Sequence, residues 1–221
     1  MLKKDWRVYQ VATIGCILIV LTIHIIAAIT FVDYDRPIQQ SDVLETFFTA
    51  GLIGLLVSAG FAGIYGGGAF SLERRERSAD FLAVMPTTRG RIITSKAIVS
   101  ILCPLVIWLF HLCEISFIFS LDPARFGNKG DYWIVVTIIF GASVMFFGLA
   151  WLLSTFLSSA AISFGIAIVI LLGSLTLIET ARQRHSISDL TAQQIDYAWT
   201  FGMGTICFIA GVIYYLRRVE P

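Results

Sequence analysis

Ser71-Leu-Glu-Arg-Arg-Glu-Arg-Ser-Ala-Asp-Phe-Leu-Ala-Val-Met-Pro86 stands between two long apolar runs and is the only long, densely charged segment of the chain. Its continuation, Thr87-Thr-Arg-Gly-Arg-Ile-Ile-Thr-Ser-Lys96, keeps the basic character up to the next apolar run. Nothing from Leu72 to Met85 breaks a helix, and Pro86 stops one, because the residue before a proline is steered away from the α region. On a helix over 72–85, Ser78, Phe81, Leu82 and Met85 share a face at i, i+3, i+4 and i+7. Glu73, Glu76 and Asp80 form an acidic line elsewhere on the cylinder, with Arg74, Arg75 and Arg77 between them. The pattern predicts a short amphipathic helix at a membrane surface, apolar at one end and charged at the other. A loop that only sets topology needs Lys and Arg alone, whereas mixed charge at helical spacing suits docking to a charged protein partner.

The flanks of this segment decide the fold class. The chain has 221 residues, of which 57% are apolar and 14% charged, and a mean hydropathy of +0.82. Soluble domains carry roughly 25% charged residues, so the composition predicts an all-α, multi-pass membrane protein with little room for a soluble domain. The net charge of +1 gives no reason to expect a nucleic-acid partner. Cys16, Cys103, Cys113 and Cys207 all fall in apolar runs without C-x-x-C spacing, and read as small packing residues.

Working outward, six runs have about the length a bilayer core needs: 11–32, 47–70, 97–120, 132–157, 160–178 and 197–216. They form one six-span domain over 1–221. Trp6 and Tyr9 precede the first run at positions suited to an interfacial belt. Polar loops are predicted over 33–46, 121–131 and 179–196, with a very tight turn at Ser158-Ser159. Thr191 and Gln194 have the spacing of a capping box, so a helix is expected to begin before the sixth span. Pro104 lies inside the third.

Charge asymmetry sets the orientation. With the N-terminus inside, Lys3, Lys4, Arg7, Arg74, Arg75, Arg77, Arg89, Arg91, Lys96, Arg217 and Arg218 are cytoplasmic. Arg36, Arg125, Lys129, Arg182 and Arg184 are outside. The bias predicts both termini and the charged segment on the cytoplasmic side of the cell membrane.

Small residues recur on the second span, as Ala59, Gly63 and Gly67 and as Gly51, Gly54 and Ser58. Such stripes let helix backbones approach closely, either within one bundle or against a second copy. Gly202, Gly204 and Gly211 on the sixth span carry the same two readings. His24, His111 and Glu114 are polar intruders within spans, and His111 and Glu114 share one helical face. An ionisable group at membrane depth is costly unless paired or hydrated, which makes it a functional candidate. A structural polar contact, the lining of a solute path, and a proton relay or metal site all fit. One H-x-x-E pair lacks the further ligands of a metal site, so no metal is expected. Gly66-Gly67-Gly68 has no Lys-Ser/Thr after it and is not a phosphate loop. No catalytic constellation is present, and the chain is not read as an enzyme.

The stretch Glu73-Arg-Arg-Glu76-Arg-Ser78-Ala79-Asp-Phe81-Leu82-Ala-Val-Met-Pro86-Thr-Thr-Arg89, closed by Lys96, resembles the segment after the second span in ABC-2 type ABC transporter permeases. That family's pattern is a glutamate-led, Arg-rich segment with two small residues and a Leu-rich turn, then a proline with Ser/Thr-Arg, and a lysine opening the third span. Many relatives have Gly-Thr where this chain has Ser78-Ala79. Leu152-Leu-Ser-Thr-Phe-Leu-Ser-Ser159, the six spans and Arg217-Arg218 fit the same family. The resemblance implies a half-transporter: two permease chains, identical or paralogous, form the pathway in the bilayer, and two ATP-binding cassette subunits sit beneath. The segment 72–85 would be the coupling helix, with Phe81, Leu82 and Met85 as anchors and Glu73, Arg74, Glu76 and Arg77 setting the fit. This chain would bind no cofactor itself, with ATP and Mg on the partner ATPase. The competing reading is a non-transporting membrane scaffold or assembly factor that recruits a soluble protein through the charged helix.

Overall fold

The structure, a computed structural model, describes the backbone of residues 2–30, 40–75, 88–122, 129–185 and 189–218, and the side chains of 9–30, 42–71, 88–122, 132–184 and 193–217. Every regular element among them is an α-helix: α1 (Leu2–Ile29), α2 (Gln40–Arg75), α3 (Arg89–Leu121), α4 (Lys129–Ser154), α5 (Ala160–His185) and α6 (Asp189–Arg218). All six contain an apolar stretch long enough to cross a membrane. The chain is an all-helical, multi-pass membrane protein.

The helices outrun the apolar stretches. α2 begins at Gln40 with Asp42 in its first turn, α4 begins at Lys129, and α5 continues to His185. Much of the predicted loops at 33–46, 121–131 and 179–196 is therefore helical. Hydropathy marks where lipid ends, whereas a helix continues into water as long as its side chains support it. On α5 that support is visible: Gln183 donates to Glu179 at 3.1 Å, and Arg182 lies 3.7 Å from the same carboxylate. α6 begins at Asp189, two residues before the predicted capping position Thr191.

α2 is the central helix, packed against α1, α3, α4 and α5, while α4 packs extensively on α6. One core cluster joins Leu44, Phe48 and Leu55 of α2 to Ile115, Ile118 and Phe119 of α3 and Val136 and Ile139 of α4. Another joins Phe70, Trp151 and Tyr215 at the opposite end of the bundle. The small-residue stripe on α2 is used inside this bundle. A Cβ on Gly63 would lie 2.5 Å from the Phe146 ring, and one on Gly66 would lie 2.6 Å from the Phe147 carbonyl oxygen. α4 and α6 meet backbone to backbone at Gly148 and Gly204, where a Cβ on Gly204 would lie 2.6 Å from the Val144 carbonyl oxygen. α1 and α5 are the least buried of the six and carry most of their apolar side chains outward.

The predicted interfacial tyrosine, Tyr9, is buried instead. Its ring packs on Tyr65 at 5.0 Å, and its hydroxyl donates to the Tyr65 carbonyl at 3.3 Å. Ser100 donates to the same hydroxyl at 3.4 Å, and Thr13 bonds the Tyr65 hydroxyl. A phenol with partners on two neighbouring helices has no need of the headgroup layer.

The turn between α4 and α5 is longer than the Ser158-Ser159 turn the sequence predicts, because α4 ends at Ser154 and residues 155–159 join it to α5. Phe156 and Leu157 N–H donate back to the Leu153 carbonyl at 3.0 and 2.9 Å. Ser159 then caps α5, its Oγ accepting from Ile162 N–H at 3.4 Å.

Candidate functional site

Of the charged candidates, Glu73 and Arg74 lie on the last turn of α2, whose helix ends at Arg75. Their side chains, and Glu76, Arg77, Phe81, Leu82 and Met85 entirely, lie outside the described residues. The helices that flank this segment are described, and they are fastened to each other. Lys96, 4% exposed near the start of α3, donates its ammonium to the Ala69 carbonyl of α2 and lies 5.4 Å from the centre of the Phe70 ring. Arg89 donates to the Leu216 carbonyl at 3.3 Å, tying the start of α3 to the end of α6. A Cβ on Gly67 would lie 3.1 Å from the Ala160 carbonyl, so the start of α5 also borders this end of α2.

The three intramembrane candidates are brought together. Glu114 of α3 bonds His24 of α1 through one carboxylate oxygen, Oε1 to Nε2 at 2.7 Å. Its other oxygen faces His111, Oε2 to Nδ1 at 3.0 Å. The two imidazoles stack with centroids 5.7 Å apart and planes 21° from parallel. His111 is 0% exposed, and the His24 and Glu114 side chains are 20% and 15% exposed.

Glycines on α2 make the space. A Cβ on Gly54 would overlap the His111 ring, and one on Gly51 would lie 3.4 Å from Glu114 Oε2. The Gly51–Gly54 notch therefore admits a buried imidazole and a carboxylate where α2 and α3 cross. The sequence puts His111 and Glu114 on one helical face and His24 on a different span; that α1 lays His24 against that pair is a tertiary fact. The one signal for it was the pairing of the notch glycines with polar residues at a similar depth on the neighbouring span.

Hydrogen-bond polarity constrains the protons. His24 Nδ1 lies 2.8 Å from the Val20 carbonyl, an acceptor only, so Nδ1 carries the hydrogen. In a neutral imidazole, Nε2 then presents a lone pair, and it faces a carboxylate oxygen. A hydrogen bond between them requires one proton, carried either by His24 or by Glu114. His111 Nε2 is buried with no hydrogen-bond partner among the described residues, so nothing outside the trio fixes its tautomer.

Two spaces adjoin this region. Between α1 and α2 a cavity of about 610 Å³ is lined by Asp42, Glu45, Thr46 and Thr49, and reaches Ile23 and Ala50, the chain neighbours of His24 and Gly51. Between α2, α3, α4 and α6 an apolar cavity of about 240 Å³ is lined by Ser58, Pro104, Trp108, Phe140 and Phe208. The Trp108 indole N–H is buried without an acceptor among the described residues.

Compared with known proteins, the chain matches no family model, no curated protein and no solved structure.

Proposed function

We propose that this chain is the membrane-spanning permease subunit of an ATP-driven exporter of the ABC-2 type. Two copies, or one copy and a paralogue, form the solute pathway in the cell membrane, and separate ATP-binding subunits drive it. Both termini and the segment 72–85 face the cytoplasm, following the distribution of Lys and Arg. The observation that carries this reading is the Glu73–Lys96 stretch, with its family-like order of acidic, basic, small, leucine, proline and lysine residues, set between the second and third of six spans.

The geometry around that stretch is what coupling by a lever requires. Force applied to the segment reaches the bundle through the end of α2 and the start of α3. Those ends are locked together by Lys96 and Ala69, and α3 is tied to α6 through Arg89. A push from an ATPase would move a fastened group of helices and bias the bundle between two arrangements. Phe81, Leu82 and Met85 anchor the segment in the partner, and Glu73, Arg74, Glu76 and Arg77 set its fit.

The test is ATP turnover by the reconstituted complex. Phe81→Ala with Leu82→Ala should abolish stimulation of the ATPase by this chain while leaving the six-span bundle folded. Unchanged partner binding and turnover would remove the coupling role and favour a scaffold that recruits some other soluble protein.

A further inference from the structure

We infer that His24, His111 and Glu114 form a binding site for one divalent transition-metal ion of the zinc class, held between α1 and α3. The site stands apart from the exporter reading, because it depends only on residues inside the bundle. Each of the three residues offers one ligand atom, and those atoms all lie within 4.8 Å of one another. Zinc bonds nitrogen and oxygen at about 2.0–2.2 Å, which puts tetrahedral ligands roughly 3.3–3.6 Å apart. The nitrogen–oxygen separations of 2.7 and 3.0 Å are hydrogen-bond distances. Metal ligation requires them to open by a few tenths of an ångström, through rotation of the His24 and Glu114 side chains, which are the partly exposed members of the trio.

Two features favour a metal over a plain polar contact. His24 donates Nδ1–H to a backbone carbonyl, which is how a ligating histidine is usually oriented with its other nitrogen toward the ion. The proton held between His24 Nε2 and Glu114 occupies the place of a cation; an entering ion takes both lone pairs, and the proton leaves to water.

Ligand chemistry narrows the ion. Two imidazoles and one carboxylate, with no thiolate among the three, suit zinc, cobalt, nickel or copper rather than the oxygen-seeking magnesium or calcium. Three protein ligands leave a fourth position open for water or a transported group, as in catalytic zinc sites. The cavity between α1 and α2, with Asp42 and Glu45 on its wall, gives a cation an acidic approach to the helix turns that carry His24 and Gly51.

The experiment uses the full-length protein in detergent, stripped with chelator and titrated with Co²⁺ and then Zn²⁺. One equivalent of Co²⁺ per chain should bind with the visible absorption of a four-coordinate site, and Zn²⁺ should displace it. His24→Ala and Glu114→Gln should each weaken binding at least about tenfold, whereas Cys113→Ser, on the exposed side of α3, should not. Wild-type protein that shows no saturable Co²⁺ or Zn²⁺ binding would overturn the inference, leaving a hydrogen-bonded polar contact. That outcome needs no variant to fold. Binding that persists unchanged in both His24→Ala and Glu114→Gln would overturn it equally, by placing the ion elsewhere.

Discussion

His24 and Glu114, 90 positions apart in sequence, are joined by a 2.7 Å contact between an imidazole nitrogen and a carboxylate oxygen inside the helical bundle. The contact fixes how α1 lies on α3, two helices that otherwise share a modest interface. Polar contacts between spans contribute about 1–2 kcal/mol at most in lipid, because the separated helices find other partners. A double-mutant cycle with His24→Ala and Glu114→Gln, read by thermal or denaturant unfolding in micelles, should give a coupling energy of roughly 0.6–1.7 kcal/mol. A coupling near zero would mean that the two side chains do not hold each other.

The notch on α2 makes a separate prediction. Gly54→Ala places a methyl group into the His111 ring, whereas a Cβ on Gly60 of the same helix meets nothing within 4 Å. Gly54→Ala should destabilise the protein by about 1–3 kcal/mol, the usual cost of overpacking. Gly60→Ala should be neutral or stabilise by up to about 1 kcal/mol, since alanine is the better helix former.

The crossing of α4 and α6 admits the same comparison. Gly204 approaches the α4 backbone so closely that a side chain has no room, while Gly202 faces open space. Gly204→Ala should lower the unfolding midpoint clearly, and Gly202→Ala should leave it unchanged or raise it. Equal effects would contradict the described packing of these helices.

Lys96 provides a fourth test. Its ammonium is buried against Ala69 and Phe70, and Lys96→Met keeps the length of the stem while removing the charge. A hydrogen bond from a charged donor contributes about 1.5–3 kcal/mol, so stability should fall by roughly that amount. If the segment 72–85 works as a lever, the same substitution should also reduce ATPase stimulation while preserving partner binding. A variant with full stimulation would remove Lys96 from the transmission of force.

Much of this architecture was legible in the sequence. Six apolar runs gave six helices, because a backbone in lipid must satisfy its own hydrogen bonds and a helix does so within one segment. The ends were less legible. Glu179, Arg182 and Gln183 are polar enough to read as loop, yet they stabilise one another on a helix that has left the apolar zone. Tyr9 looked like a headgroup anchor until Tyr65 and Ser100 supplied partners for its hydroxyl. The glycine stripe on α2 was visible as a pattern. Its use against Phe146, Phe147 and His111 depends on which helices cross it, which no local pattern encodes. His24 was visible only as an isolated polar residue, since its partnership with Glu114 exists only once α1 and α3 lie side by side.

The most direct test of the exporter reading is to purify the tagged chain from its own membrane in mild detergent and identify by mass spectrometry what comes with it. The account predicts a stoichiometric ATP-binding cassette protein that is lost when Phe81 and Leu82 are both replaced by alanine. A clean preparation without an ATPase, or one in which some other soluble protein depends on those two residues, would contradict it.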